Sequence, residues 1–326
     1  MRIENFIDGK SCSVDDLDFR GKSLCGEDLK NVDLSGANLA GVDLSGADLS
    51  NARLFRANLN GVRLNNAKLD GAELSGANLA DADMVNISAN NAGFGMANLK
   101  NAKLFNAKLE NATLSLACLI GADLKAASLN GARLREAKLS GADFTNAQLK
   151  DADMSLCDVS EACFNNADLR RTRLRALNGF HTASWIGVDI RDVNFSGAYL
   201  MRRFILDQNF LYEFKRRNRL TAILYKIWWI TSDCGRSIAR WCFWTFLLAF
   251  LFGLAYIFVG VNYGEFRTWL SPFYYSVVTL TSLGYGDVIP ASIIAQIIAM
   301  TEVITGYVML GGLLSIFANK MSRRAD

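Results

Sequence analysis

From Leu24 to Leu174 the chain repeats every five residues: an apolar side chain at Leu24, Leu29, Leu34, Leu39, Leu44 and onward, preceded two positions earlier by a small one, as at Ala37, Ala47, Ala52, Ala57, Ala67 and Ala72. A period of five fits neither the 3.6 of a helix nor the 2 of a strand, so the backbone must turn within each unit. If each unit forms one side of a four-sided coil, the Leu and the Ala before it face inward and the other three positions face water. Gly36, Gly41, Gly46, Asn51, Gly61, Asn66, Gly71 and Gly76 lie two residues after the Leu, where the turn requires permissive backbone angles. About 31 units give roughly eight coils, which at the ~4.8 Å spacing of paired strands makes a rod about 38 Å long. Two irregularities interrupt it. Ala89 stands where Leu belongs and predicts a local bulge or kink, and after Leu174 the apolar positions slip by one, to Trp185, Ile190, Phe195 and Leu200. That slip predicts a loop within residues 175–182, followed by one last coil.

The C-terminal part follows a different pattern. Residues 241–261 run 21 positions without a charge, against the ~20 needed to cross a hydrocarbon core, and a second apolar stretch covers 291–318, interrupted by Gln296 and Glu302. Basic residues precede the first stretch and follow the second (Lys320, Arg323, Arg324), which places both termini on the cytoplasmic side of a cell membrane. The segment Ser271–Asp287 between them is too short to cross again, so it enters and returns on one side. Non-helical backbone at that depth is tolerated only when it is buried in protein or lines an aqueous path. Pro272 suits the first turn of a short helix reaching Thr281, after which the chain becomes extended. Residues 201–239 form a basic connector between the two parts. Residues 201–240 hold nine Lys or Arg against three acids, with Leu220, Ile223, Leu224, Ile227 and Trp228 on one helical stripe. That helix either lies on the anionic inner leaflet or packs on protein, and the sequence leaves both open.

Composition narrows the function. The 326 residues include one histidine, His181, so a His-rich metal site is excluded, no Ser/His/Asp set suggests itself, and no enzymatic constellation stands out. The seven cysteines (Cys12, Cys25, Cys118, Cys157, Cys163, Cys234, Cys242) show no paired spacing and read as small packing residues in a reducing compartment. The opening MRIENFIDGK has no apolar core of signal-peptide length, so the N-terminal part is expected to stay in the cytoplasm.

The five-residue unit A(D/N)LXX resembles the pentapeptide repeat family over more than half the chain, which implies a right-handed quadrilateral β-helix. Some members of that family mimic DNA, which needs a strongly acidic rod. Between Leu24 and Leu174 there are 18 acidic against 16 basic residues, so mimicry is disfavoured and no nucleic-acid partner is expected. The stretch Thr281-Ser282-Leu283-Gly284-Tyr285-Gly286-Asp287 resembles the signature of two-transmembrane, pore-loop potassium channels of prokaryotic type. The resemblance implies an all-α pore after the β-helix, and a multidomain chain: residues 1–200 a cytoplasmic β-helix, 201–239 the connector, 240–326 the transmembrane pore.

The same resemblance implies that Thr281 to Gly286 bind K⁺ as the permeant ion, with no other cofactor. The ligands are the carbonyls of Ser282, Leu283, Gly284 and Tyr285 and the Ser282 hydroxyl. Each chain supplies a quarter of every oxygen ring, so the implied assembly is a homotetramer in a lipid bilayer. Ser282 and Leu283 depart from the commoner Thr and Val but keep a hydroxyl and a carbonyl. Asp287, Tyr274 and Tyr275 are filter-support candidates: a phenol bonds Asp287 behind the filter, or the rings only pack. Gly306 lies near the family's hinge, with Gly311 and Gly312 as rivals, although glycine in a membrane helix also serves close packing. Glu302 is an intramembrane acid that either supports the filter or faces the cavity. No arginine-bearing voltage sensor precedes the pore, so regulation of gating or assembly falls to the rod, for which no partner is legible. The rival expectation is a membrane-anchored scaffold with a non-conducting pore domain.

Overall fold

The computed structural model describes residues 18–195, 198–264 and 267–325, and the chain divides into two compact units, the first running through Tyr212 and the second from Glu213. In the first unit, single-residue parallel bridges join positions twenty apart, from Asp18↔Asn38 through Asp158↔Asn178. Twenty residues at five per side make one four-sided coil, and the twin bonds of each rung, such as Leu44 N to Arg63 O at 2.7 Å and Arg63 N to Val42 O at 3.0 Å, knit each coil to the next. The unit is the quadrilateral β-helix that the resemblance to pentapeptide repeats implies. Leu and Ala columns from Leu29 to Leu169 are buried. Each corner residue has positive φ, from 62° to 75° at the glycines between Gly21 and Gly141 and near 57° at asparagines such as Asn51, Asn101 and Asn166. One face adds an amide ladder, Asn98 to Asn78 to Asn58 to Asn38, with steps of 2.9, 3.4 and 3.1 Å.

The bulge predicted at Ala89 is absent. Ser88 bridges both Lys68 and Lys108 in register, and Ile87 and Ala89 are both buried. Ile87 occupies the inward position that elsewhere holds Ala, so large and small side chains have exchanged places and the core volume is kept. The register slip is real and local: bridge spacing changes from twenty at Asp158↔Asn178 to twenty-one at Cys163↔Ser184, but it does not reach the expected Leu200, which is exposed on a helix that begins at Tyr199. The extra residue is taken up where Gly179, at φ 72°, turns the chain and Thr182 N bonds Gly179 O at 3.0 Å. At this end the column becomes aromatic, with Phe144, Phe164 and Trp185 stacked at centroid distances of 4.9 and 4.4 Å.

A helix α1 (Tyr199–Arg217) follows. The expected boundary after residue 200 therefore falls at the start of an element whose first half belongs to the rod. Met201 and Ile205 join the rod core, while Gln208 and Asn209 serve the exposed edge of the last coil. Gln208 Oε1 accepts from Trp185 N at 2.6 Å and Asn209 Oδ1 from Gly187 N at 2.6 Å. Asn209 Nδ2 donates to Trp185 O at 2.9 Å. An open β-helix end is a template for further strands, and two amide side chains close it. The first 17 residues of the expected domain, Cys12 among them, lie outside the described residues.

Of the described cysteines, Cys157 is a packing residue as expected: its thiol donates to Leu134 O at 3.0 Å, and burial pushes its pKa up to about 12. Cys25 is exposed and corrects that reading, because it sits at an outward position of its unit.

The rod's carboxylates have a consequence in acid. Asp33, Asp43 and Asp48 accept from the backbone N–H of Ser35, Ser45 and Ser50 at 3.0, 3.0 and 3.2 Å. These N–H groups hold all three below the ordinary carboxylate range, and the Ser50 hydroxyl, at 2.6 Å and aided by Lys30, brings Asp48 to about 2. A carboxyl whose folded pKa is depressed contributes stability above its unfolded value and loses it as pH falls through the folded one. The rod's melting temperature is expected to hold down to the ordinary value of 3.8 and to fall between there and about 2, and the Asp48→Asn variant should show a shallower fall by circular dichroism.

In the second unit α2 (Arg219–Ser232) starts with a reciprocal cap between Asn218 and Thr221. Its stripe splits: Leu220, Ile223, Leu224 and Ile227 stay exposed, whereas Trp228 faces Phe214 at 6.3 Å between ring centroids. Then come α3 (Ile238–Phe258), β1 (Val261–Asn262), α4 (Ser271–Leu280), β2 (Ile289–Pro290) and α5 (Ile293–Ala325). α3 and residues 293–318 of α5 are long and apolar enough to cross a membrane. α3 begins three residues before the expected 241 because Ser237 caps it, its Oγ accepting from Arg240 N at 3.2 Å, and it ends where Val259 turns extended. α4 is likewise one residue earlier than the expected 272–281.

Candidate functional site

Pro272 stands in the first turn of α4, where a missing N–H leaves nothing unpaired, and the helix buries Tyr275, Ser276, Val278, Thr279 and Leu280. At its end Thr281 Oγ1 turns back to Val277 O at 2.7 Å, and Ser282 N and Leu283 N bond Thr279 O and Val278 O, both at 3.0 Å. These bonds fasten the start of the loop to the helix. Beyond them, among the described residues, no carbonyl of Ser282, Leu283, Gly284 or Tyr285 accepts a backbone hydrogen bond.

Backbone angles then alternate. Ser282, Gly284 and Gly286 have φ of 57°, 50° and 77°, while Leu283 and Tyr285 between them stay outside the left-handed region. Successive residues of one hand splay their carbonyls to opposite sides; alternating hands bring them toward one side. The glycines supply two of the three left-handed positions without strain. The third falls on Ser282, whose unbranched Cβ tolerates this angle better than a β-branched residue would. Nothing in the spacing of the sequence marks that residue as left-handed. The segment is open to its surroundings, with Leu283 58% and Tyr285 66% exposed.

The two tyrosines differ in role. Tyr274 Oη donates to Asp287 Oδ2 at 3.0 Å, tying the far end of the loop to α4. Tyr275 points the other way and meets the Tyr256 ring edge-on at 4.7 Å. Glu302 is fully buried and faces α3 and α4, not a cavity. Tyr256 Oη donates to Glu302 Oε2 at 2.7 Å, and Ser276 Oγ lies in hydrogen-bond contact with Glu302 Oε1 and, at 2.7 Å, with Ala249 O. The glycines of α5 also separate. Gly306 lies against the backbone of Leu280, Gly312 against the ring of Trp241, whose Nε1 donates to Met309 O at 2.8 Å, and Gly311 has no neighbour within 4 Å of where a Cβ would stand. Among the described residues no group of three or more His, Cys, Asp or Glu is placed to hold a metal.

With this geometry in place, likeness to known proteins is informative. Pentapeptide repeats match in stretches covering residues 16–94 and 97–175, and the ion channel family matches residues 227–323. A calcium-gated potassium channel of Thermoplasma volcanium is 29% identical over 90 residues, 25% of this chain and 26% of its own length. Two-pore potassium channel 4 of Arabidopsis thaliana is 37% identical over 83 residues, 22% of this chain and 29% of its own. The chain thus spans under a third of the length of the curated relatives it matches. Among solved structures, HetL, a pentapeptide repeat protein involved in heterocyst differentiation regulation in Nostoc sp. strain PCC 7120, is 30% identical. It covers 55% of this chain and 83% of its own, at a TM-score of 0.38.

The chain therefore joins pentapeptide repeats to a region, residues 227–323, that matches the ion channel family and carries two helices long and apolar enough to cross a membrane. It is a membrane protein, and neither family is enzymatic.

Proposed function

We propose that this protein conducts K⁺ passively through a central pore made by four copies of the chain, with Thr281 to Gly286 as the filter. The observation that carries this reading is the alternation of backbone hand at Ser282, Gly284 and Gly286, directly after a short helix whose end secures the loop. Main-chain oxygens presented in this way can replace the hydration shell of a dehydrated cation. One strand has oxygens on one side only, so an enclosing ring needs symmetry-related copies. The open faces of Leu283 and Tyr285 suit burial against those copies. Similarity to potassium channels over the pore domain supports the choice of ion.

The rod acts on opening or assembly through α1, whose residues through Tyr212 belong to the first unit and whose last residues, from Glu213, belong to the second. Both termini of the membrane domain lie in the cytoplasm of a cell with this channel in its plasma membrane. The decisive measurement is flux from purified protein in liposomes: K⁺ efflux at least tenfold faster than Na⁺ is expected. Equal fluxes would overturn the choice of K⁺, and no flux from protein that assembles as a tetramer would favour the membrane-anchored scaffold instead. Removing residues 1–212 tests the rod and should leave a selective pore with altered opening or tetramer yield.

A further inference from the structure

Glu302 is the one buried acid in the described membrane domain, and its hydrogen-bond inventory constrains its charge. Ser276 has one hydroxyl proton and two close oxygens, Ala249 O and Glu302 Oε1. A carbonyl can only accept, so the hydroxyl proton goes to Ala249 O. The second contact then needs a proton of its own, and a carboxylic acid at Glu302 supplies it. Tyr256 Oη donates to the other carboxyl oxygen. The titratable groups facing Glu302 are Tyr256 from α3 and Tyr275 from α4, both neutral phenols, and neither offers a positive charge to a carboxylate.

The placement of this acid gives it a mechanical role. Glu302 and Gly306 lie one turn apart on the same face of α5, and they meet Ser276 and Leu280, one turn apart on α4. Leu280 immediately precedes Thr281 and the loop. We propose that Glu302, held as the neutral acid, is a positioning residue for conduction: it ties α5 to α3 and to α4, and so fixes the helix from which the filter departs. This inference rests on the conduction proposed above, and its first test is independent of conduction.

Infrared difference spectra of wild type against Glu302→Gln in liposomes should show the C=O stretch of a protonated carboxyl in the wild type alone; carboxylate bands in its place overturn the proposal. In flux measurements Glu302→Gln should stay within twofold of wild type, because an amide accepts from Tyr256 and donates to Ser276 as the neutral acid does. Glu302→Leu removes both contacts and should lower K⁺ flux at least tenfold and reduce the preference for K⁺ over Na⁺. Wild-type behaviour of Glu302→Leu, or equal impairment of Glu302→Gln, refutes the role. If Glu302→Leu fails to assemble, Tyr256→Phe deletes one bond at constant volume and should lower flux at least threefold; unchanged flux in that variant counts against the proposal.

Discussion

Replacing Gly306 with alanine is expected to abolish K⁺ flux, or to prevent tetramer assembly, although alanine is the better helix former. In an exposed helix the change would stabilise by about 1 kcal/mol. Here the new methyl would land on the carbonyl oxygen of Leu280 and crowd its carbonyl carbon and Cα as well. Those are backbone atoms at the end of a buried helix, so no side chain can swing aside to make room. Overpacking of this kind costs about 1–3 kcal/mol per site, and it is incurred in every subunit of the proposed assembly. The displacement also falls on the residue directly before Thr281, where a small shift is carried into the proposed filter. Gly311→Ala is the control, because nothing lies within 4 Å of its added carbon. Size-exclusion chromatography and liposome flux read both variants. A Gly306→Ala protein that assembles and conducts like wild type would mean that α4 and α5 do not pack as described.

Trp185→Ala should produce the largest loss in the rod, about 3–5 kcal/mol in the stability of its last coils. Trp185 is fully buried, continues the Phe144 and Phe164 stack, and donates through Nε1 to Phe180 O at 3.0 Å, across the inserted turn. Its own backbone is also held by Gln208 and Asn209 from α1. Because each coil touches only its neighbours, the loss should stay near the end. Hydrogen exchange in the full-length protein is expected to speed up over residues 160–195 and in the first half of α1, while the coils around residues 40–100 remain protected. Uniform exchange along the rod, or no change at residues 160–195, would contradict this account. Trp185→Phe, which keeps the stack and loses the indole bond, should fall between.

The period of five by itself required a turn in every unit, since no continuous helix or strand repeats at that interval, and the resemblance of the unit to pentapeptide repeats implied the β-helix. Two long apolar stretches determined the membrane domain, because hydrocarbon accepts only backbone that satisfies itself. The stretch Thr281 to Asp287 marked the candidate filter through its resemblance to the potassium channel signature. All three are local regularities that survive without knowledge of neighbours.

What only the tertiary structure decided were matters of contact between distant residues. Ile87 restores the volume missing at Ala89, so the expected kink never forms. The first half of α1 serves as the end of the rod, although its basic residues suggested a connector throughout. Tyr274, not Tyr275, reaches Asp287, and Glu302 turns toward Ser276 and Tyr256 when the sequence left its direction open. The physical reason is the same in each case: composition and spacing fix how a segment folds on itself. Which buried volume, carbonyl or hydroxyl a side chain meets depends on residues brought close only when the elements pack.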